Sequence, residues 1–181
     1  LCASDTCAMR LDLPTTQTRL NAVLDALGVD SWQEVQLEEC DTAMPEMWAF
    51  VDMAHTSMEQ VNQFAQCLEM LDANGELAAF KAVASQLDIY KLEDAMALAE
   101  HLSEYAFEPS IHSLEDRARE ELALMADGPE LDLLIRNLNL TAYGADLMYR
   151  DRGILSDYGY VHRPDGQPIH LPQQGMDMTM Q

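Results

Sequence analysis

The side chains of this chain that could carry chemistry are its carboxylates. Twelve of them lie between Leu20 and Phe80, in a span that contains no lysine or arginine. Without neighbouring cations, such carboxylates repel one another and lower the stability of the fold that holds them. The span therefore predicts a surface whose negative charge is used, either to repel nucleic acid or to imitate it in front of a protein that binds nucleic acid.

Other patterns of reactive residues are weak. The string Asp72–Gly75 is similar to part of a calcium loop, but aligning Gly75 with the required glycine puts Lys81 where the loop needs a bidentate glutamate. The five histidines show no H-E-x-x-H spacing, and none pairs with a cysteine at zinc-finger distance. A glycine-rich phosphate loop is absent from the sequence. We therefore expect no metal, no cofactor and no enzymatic activity.

The net charge of the chain limits the kinds of partner that it can bind. The chain has 32 acidic and 10 basic residues, a formal net charge of −22, while 48% apolar residues is too many for a disordered acidic tail. At one charge per 1.7 Å, an excess of 22 equals about 37 Å, or roughly eleven base pairs, of duplex DNA. The same charge disfavours direct binding to nucleic acid or to an anionic membrane. The apolar runs are too short for a transmembrane helix, and four scattered cysteines favour a reducing cytoplasm.

The elements that must position these acids follow from hydrophobic spacing. Residues 1–14 read as a short strand or a mobile end, and Trp32–Glu39 alternates like a half-buried strand. Two further strands, 152–156 and 160–163, flank a hairpin turn at Asp157–Gly159. Helical spacing predicts helices over residues 17–27, 58–71, 77–86, 92–105, 113–126, 130–138 and 141–148.

These elements predict an α+β fold made of three small subdomains. Residues 1–52 form an N-terminal α/β unit, and 53–108 form a central acidic helical bundle. Residues 109–163 form a C-terminal α/β unit with the β-hairpin, and 164–181 form a tail. In the helix after Ser113, acids and arginines stand four residues apart, so that part is partly self-neutralised and the negative field is concentrated in the first two subdomains.

Several strings, taken in order, resemble the ArdA antirestriction family. They are an acidic stretch leading to a proline, Val35–Pro45, a helix start at Ser57–Asn62, the string Asn139–Leu147 and the following hairpin, Arg152–Val161. The third string is the strongest, being similar to the family pattern Y-x-A-x-G-R-D-L, although Ala145 stands where the family often has arginine. The resemblance covers roughly residues 10–163.

The resemblance implies an elongated protein whose acids imitate the phosphates of bent B-form DNA. Such a protein occupies the DNA groove of a type I restriction-modification enzyme, at its methyltransferase core, and protects entering DNA of conjugative elements such as a conjugative transposon. It also implies a homodimer with contacts in the C-terminal part, where Tyr149, Tyr158 and Tyr160 are candidate anchors; packing of these tyrosines within one subunit is the alternative. The candidate partner-binding acids are Glu34, Glu38, Glu39, Asp41, Glu59, Glu69, Asp72, Glu76, Glu93, Asp94, Glu100 and Glu104.

A second hypothesis stays open beside the DNA mimic. The chain is then an acidic adaptor or small enzyme of a mobile element, and its charge serves only solubility. That hypothesis predicts an apolar pocket with converging polar groups, and acids scattered evenly in space.

Overall fold

The computed structural model describes residues 2–4, 7–35 and 56–171, with the side chains described from residue 9 onward. The protein is α+β, as the sequence predicts, with helices and small antiparallel sheets. The described residues fall into two compact units, one from residues 1–77 with 89–99, the other from 78–88 with 100–181. The division into three subdomains stays a prediction.

The described residues of the first unit form a two-stranded ribbon, three α-helices and a short 3₁₀ helix. Strands β1 (Cys2–Ser4) and β2 (Cys7–Ala8) pair antiparallel. Helix α1 (Gln17–Leu27) begins at Thr16, whose side chain accepts from the Arg19 N–H, and ends at Gly28 with φ 71°. Helices α2 (Met58–Ala73) and α4 (Leu92–Glu100) follow later in the chain. The boundaries of α1 and the start of α2 confirm the sequence prediction, because caps and periodicity act locally.

Specific hydrogen bonds tie these helices together. The buried Asn62 side chain of α2 accepts from the Thr15 N–H at 2.7 Å and donates to the Thr15 carbonyl at 2.9 Å, next to the start of α1. Gln60 donates to Glu93 of α4 at 2.6 Å. The buried core of the unit comes from the apolar faces of the three helices: Leu20, Val23, Val61, Phe64, Leu68, Leu71, Leu92, Ala95 and Leu98.

The second unit places helices around a three-stranded sheet. Its helices are α3 (Leu77–Ala84), α5 (Leu114–Met125), α6 (Gly128–Asn137) and α7 (Leu140–Asp151). The predicted hairpin is confirmed: β4 (Ile154–Ser156) pairs antiparallel with β5 (Gly159–His162). Strand β3 (Ala106–Glu108) adds to the other edge of β5, so that the order is β3-β5-β4.

Two predictions of local structure were wrong. Trp32–Glu34 is a short 3₁₀ helix capped by Ser31, not the start of a strand, and residues 36–39 lie outside the described part of the chain. The helix predicted over 92–105 stops at Glu100, and the chain continues through a 3₁₀ turn, Leu102–Glu104, into β3. In both places apolar residues at mixed spacing satisfy a helix and a strand equally well, and tertiary pairing decides between them.

The closest helix packing in the second unit joins α5 to α7. A Cβ atom placed on Gly144 of α7 would lie 1.9 Å from the backbone oxygen of Leu114, the first residue of α5. Only glycine permits this approach. Together with Ala118, Leu122 and Leu147, which are buried, it fixes the two helices against each other.

Candidate acidic interaction surface

The predicted acids of α2 are exposed and lack a cationic partner. Glu59 lies in the first turn, Glu69 and Asp72 near the end, and Glu76 just beyond the helix. Within the described residues, none of the four has a Lys, Arg or His nitrogen within 4.0 Å. The Asn74 amide at 3.3 Å from Glu76 is a neutral partner and leaves the charge in place.

Helix α4 carries three further predicted acids. Glu93 and Glu100 are exposed and stand seven residues apart, nearly on one face of the helix, while Asp94 is half-buried. At 1.5 Å per residue the two lie about 10 Å apart along the axis, close to three base-pair steps of about 3.4 Å. Gln60 donates to Glu93 at 2.6 Å, so a side-chain hydrogen bond joins the first turn of α2 to the first turn of α4.

The position of acids at helix ends is the most informative feature of the first unit. The backbone of a helix leaves partial negative charge at its C-terminal end, so an acid in the last turn is unfavourable by about 0.3–1 kcal/mol. In α1, α2 and α4 the last turn holds Asp25, Asp72 and Glu100 respectively, and in none of these helices does it hold a basic residue. These acids therefore lower the stability of the helices that carry them, and helix formation does not explain their presence.

The second unit treats its helix ends in the opposite way. The last turns of α6 and α7 contain Arg136 and Arg150, which suit the negative end of a helix. The last turn of α7 also holds an acid, Asp151, but Arg117 and Arg150 pair with it at 2.8 Å and 3.1 Å. The contrast places the unfavourable acid arrangement in the first unit.

Glu104 differs from the other predicted acids. It accepts from Arg163 at 3.0 Å and contacts His101 at 2.9 Å. Hydrogen bonds from His101 and Arg163 lower the pKa of Glu104 below its ordinary value of 4.5. Since Arg163 is buried and also binds Asp165 at 2.8 Å, Glu104 belongs to a structural ion-pair cluster of the second unit.

Ion pairs of the second unit also hold α5 and α7. Buried Arg117 donates to Glu121 at 3.1 Å, as the spacing predicts, and to Asp151 at 2.8 Å. The expected pairing of Glu115 with Arg119 does not form: Glu115 accepts from Thr141, and Arg119 lies 3.5 Å from Asp116. Burial raises the pKa of Asp151, but hydrogen bonds from Arg117 and Arg150 outweigh it and hold the pKa below 3.8.

Sequence reasoning overlooked a set of acids in the second unit. They are exposed, and within the described residues no cationic nitrogen lies within 4.0 Å of them, so the negative field extends beyond the first unit. A count of acids against arginines on α6 and α7 would have found three of them, Glu130, Asp132 and Asp146. The set comprises Asp88, Glu120, Asp127, Glu130, Asp132, Asp146 and Asp157.

Of the other predicted acids, Glu34 is exposed in the 3₁₀ helix after α1. Glu38, Glu39 and Asp41 lie outside the described residues.

The three candidate dimer tyrosines have different surroundings. Tyr149 is 88% exposed on α7. Tyr158 is half-buried under Lys81, whose ammonium lies 5.8 Å from the ring centre. Tyr160 is completely buried, with the Arg117 guanidinium 5.6 Å from its ring, so its side chain packs within the subunit and offers no surface to a second chain.

The family-like string Asn139–Leu147 has a structural role in this chain. The Asn139 side chain caps α7 by accepting from the Ala142 N–H at 3.1 Å, Gly144 permits contact with α5, and Leu147 is buried. The string therefore builds the second unit, while the candidate surface lies on other residues.

Within the described ranges, no group of three or more His, Cys, Asp or Glu residues could hold a metal ion. In the same part of the chain, every helix is too short or too polar to span a membrane.

A family model described as antirestriction protein (ArdA) matches residues 8–162 of the 181. No curated protein and no solved structure matches the chain.

Proposed function

Because the chain belongs to the ArdA antirestriction family, its function is antirestriction, and we propose that it acts as a DNA mimic on a type I restriction-modification enzyme. The carboxylates of the first unit occupy the groove in which the methyltransferase core binds duplex DNA. The chain itself performs no catalysis and binds no nucleic acid directly. Its place of action is the cytoplasm, where entering DNA is attacked.

One observation carries this proposal: acids stand at the unfavourable ends of α1, α2 and α4, and among the residues that the structure describes no cationic nitrogen lies within 4.0 Å of them. An acidic surface that served solubility alone could place its charges at helix N-termini, where they stabilise the fold. Acids kept where they lower stability indicate that their positions matter. A groove lined with Lys and Arg would accept these carboxylates in place of phosphates.

The decisive experiment is competition with duplex DNA. A fluorescent duplex bound to a type I methyltransferase is titrated with the protein at low salt, and we expect complete displacement. The inhibition constant should rise steeply with salt concentration, because salt screens the attraction between the carboxylates of this protein and the cations of the groove. Failure to displace the duplex at excess protein and low salt contradicts the mimic.

Matched variants separate the position of the charges from their number. Neutralising Glu59, Glu69, Asp72 and Glu76 together to amides removes four charges from the first unit. The control neutralises Glu120, Glu130, Asp132 and Asp146 in the second unit, which gives the same net charge. We expect the first set to weaken inhibition at least tenfold and the control set to weaken it much less. Equal effects would favour net charge alone, and with it the adaptor hypothesis.

We also infer a homodimer formed through the second unit. Helix α6 contains no buried residue, although Leu131 and Leu134 lie on one stripe of it and Leu138, the residue that caps its C-terminal end, follows at the next helical spacing. Leu124 and Met125 at the end of α5 are 80% and 64% exposed. We propose that the stripe, these residues and Tyr149 contribute to the apolar contact with a second copy, since exposed apolar side chains in number mark interaction surfaces. The DNA-binding groove of a restriction enzyme is charged and does not suit an apolar surface. A second copy of this chain is therefore the better partner for the apolar surface near α6.

Sedimentation tests the dimer. Leu138→Glu, which places a charge on the α6 stripe, is expected to shift the protein towards monomer. Met70→Glu is the matched control, because Met70 is equally apolar and 66% exposed but belongs to α2. A monomeric wild-type protein at tens of micromolar, or equal shifts by both variants, contradicts this interface.

A further inference from the structure

The C-terminal end of α7 opens into a shallow depression of unusual composition for this chain. Its volume is about 580 Å³, and it is lined by Met148, Tyr149, Arg150, Arg152 and Gly153. Two of the ten basic residues of a protein with net charge −22 therefore face one depression. Tyr149, which also lines the depression, is 88% exposed.

Arg152 has a strained backbone. It terminates α7 with φ 51° and ψ 33°, in the left-handed region, and among the described residues it is the one non-glycine residue with positive φ. Glycine or asparagine is the usual residue at this position of a helix end, because a Cβ atom is disfavoured there. A strained residue kept where an unstrained one would fit is a reason to look for a function.

The charge of Arg152 is uncompensated. In the part of the chain that the structure describes, no carboxylate lies within 4.0 Å of its guanidinium. The neighbouring Arg150 contacts Asp151 at 3.1 Å and Glu121 at 3.5 Å, but its side chain remains 59% exposed. Both guanidinium groups thus have donors available to a ligand in the depression.

We propose that this depression binds a carboxylate-bearing segment of a partner protein. The planar fork of Arg152 matches a carboxylate in bidentate geometry, and Arg150 supplies a second cation. The Tyr149 ring and the Met148 side chain offer apolar contact to the rest of the segment. A long polyphosphate is disfavoured because the field of the whole chain repels it, whereas a segment with two or three carboxylates carries less charge and is repelled less.

The test uses the full chain and a fluorescein-labelled peptide with two adjacent glutamates. Fluorescence polarisation at low salt is expected to show binding that weakens as salt rises. Arg152→Gly should lower the affinity about tenfold, since a hydrogen bond between charged groups is lost. The same variant should melt at or above the wild-type temperature, because glycine relieves the left-handed strain. Arg152→Lys, which keeps the charge and loses the fork, should bind with intermediate affinity.

Controls separate this site from general charge effects. Arg19→Gln removes one exposed cation from α1, remote in sequence from the depression, and should leave peptide affinity unchanged. Sedimentation of each variant separates peptide binding from subunit association, because Tyr149 is also a proposed subunit contact. Equal affinity of wild type and Arg152→Gly overturns the proposal. So does a twelve-base-pair duplex, or inorganic phosphate at equal concentration, that binds as tightly as the peptide.

Discussion

Replacing Gly144 with alanine tests how tightly α5 and α7 are packed. In an ordinary helix interior, glycine to alanine stabilises a protein by about 1 kcal/mol. Here the new Cβ would lie 1.9 Å from the oxygen and 2.6 Å from the carbonyl carbon of Leu114. Both are backbone atoms of α5, so no side-chain rotation can relieve the overlap.

The expected magnitude follows from these distances. To restore normal contact, the two helices must separate by about 1 Å or more, and overpacking of this kind costs about 1–3 kcal/mol, occasionally more. The separation also loosens the contact around Ala118, Leu122 and Leu147, which are at most 3% exposed. A cost near the upper end of that range, about 3 kcal/mol, is reduced by the gain of about 1 kcal/mol in helix propensity. We therefore expect the free energy of unfolding to fall by about 2 kcal/mol. For a chain of this length, the melting temperature should fall by about 4–8 °C.

Thermal unfolding followed by circular dichroism measures the change. The neighbouring Ala145→Gly is the matched control, since Ala145 is exposed and its loss should cost only the propensity difference of about 1 kcal/mol. If Gly144→Ala melts at or above the wild-type temperature while Ala145→Gly melts below it, the close approach of α5 and α7 is refuted.

Three further predictions concern ion pairs and caps. Arg117→Ala leaves two largely buried carboxylates with the more exposed Arg150 as their remaining cation. It should lower the free energy of unfolding by about 3 kcal/mol, the low end of the cost of breaking a buried pair, against less than about 1 kcal/mol for the exposed Arg119→Ala, in urea titrations. The pKa of Asp151 is lower in the folded protein than its unfolded value near 3.8. The ionised carboxylate therefore stabilises the fold above pH 3.8, and this stabilisation is lost as the pH falls through the folded pKa. In acid titrations, Asp151→Asn should lose less stability below about pH 4 than the wild type does. Ser57→Ala removes one half of a capping box and should cost about 1 kcal/mol, whereas Ser103→Ala should be neutral.

The sequence located the local features of this protein well. Thr16 and Gly28 cap the two ends of α1, Ser57 caps the start of α2, and the turn near Asp157 joins the two strands of the hairpin. Each of these depends on groups within a few residues of one another, so the chain itself carries the information. The family resemblance likewise depends on strings of neighbouring residues, and the match to residues 8–162 confirms it.

The sequence alone failed where partners come from distant parts of the chain. Strand β3 forms because Phe107 pairs with Val161, which lies on the central strand β5, 54 residues later in the chain. Glu104 and Tyr160 were candidates for surface roles, but Arg163 neutralises the first and the core encloses the second.

The amino-acid sequence by itself determined the sign and density of the charge, the helix caps and the family. These properties depend on the composition and on residues that are close together in the sequence, so they do not depend on how distant parts of the chain pack. Only the tertiary structure decided which carboxylates keep their charge in solvent and which are paired. The reason is that an ion pair such as Arg117 with Asp151, 34 residues apart, forms only after α5 and α7 pack together.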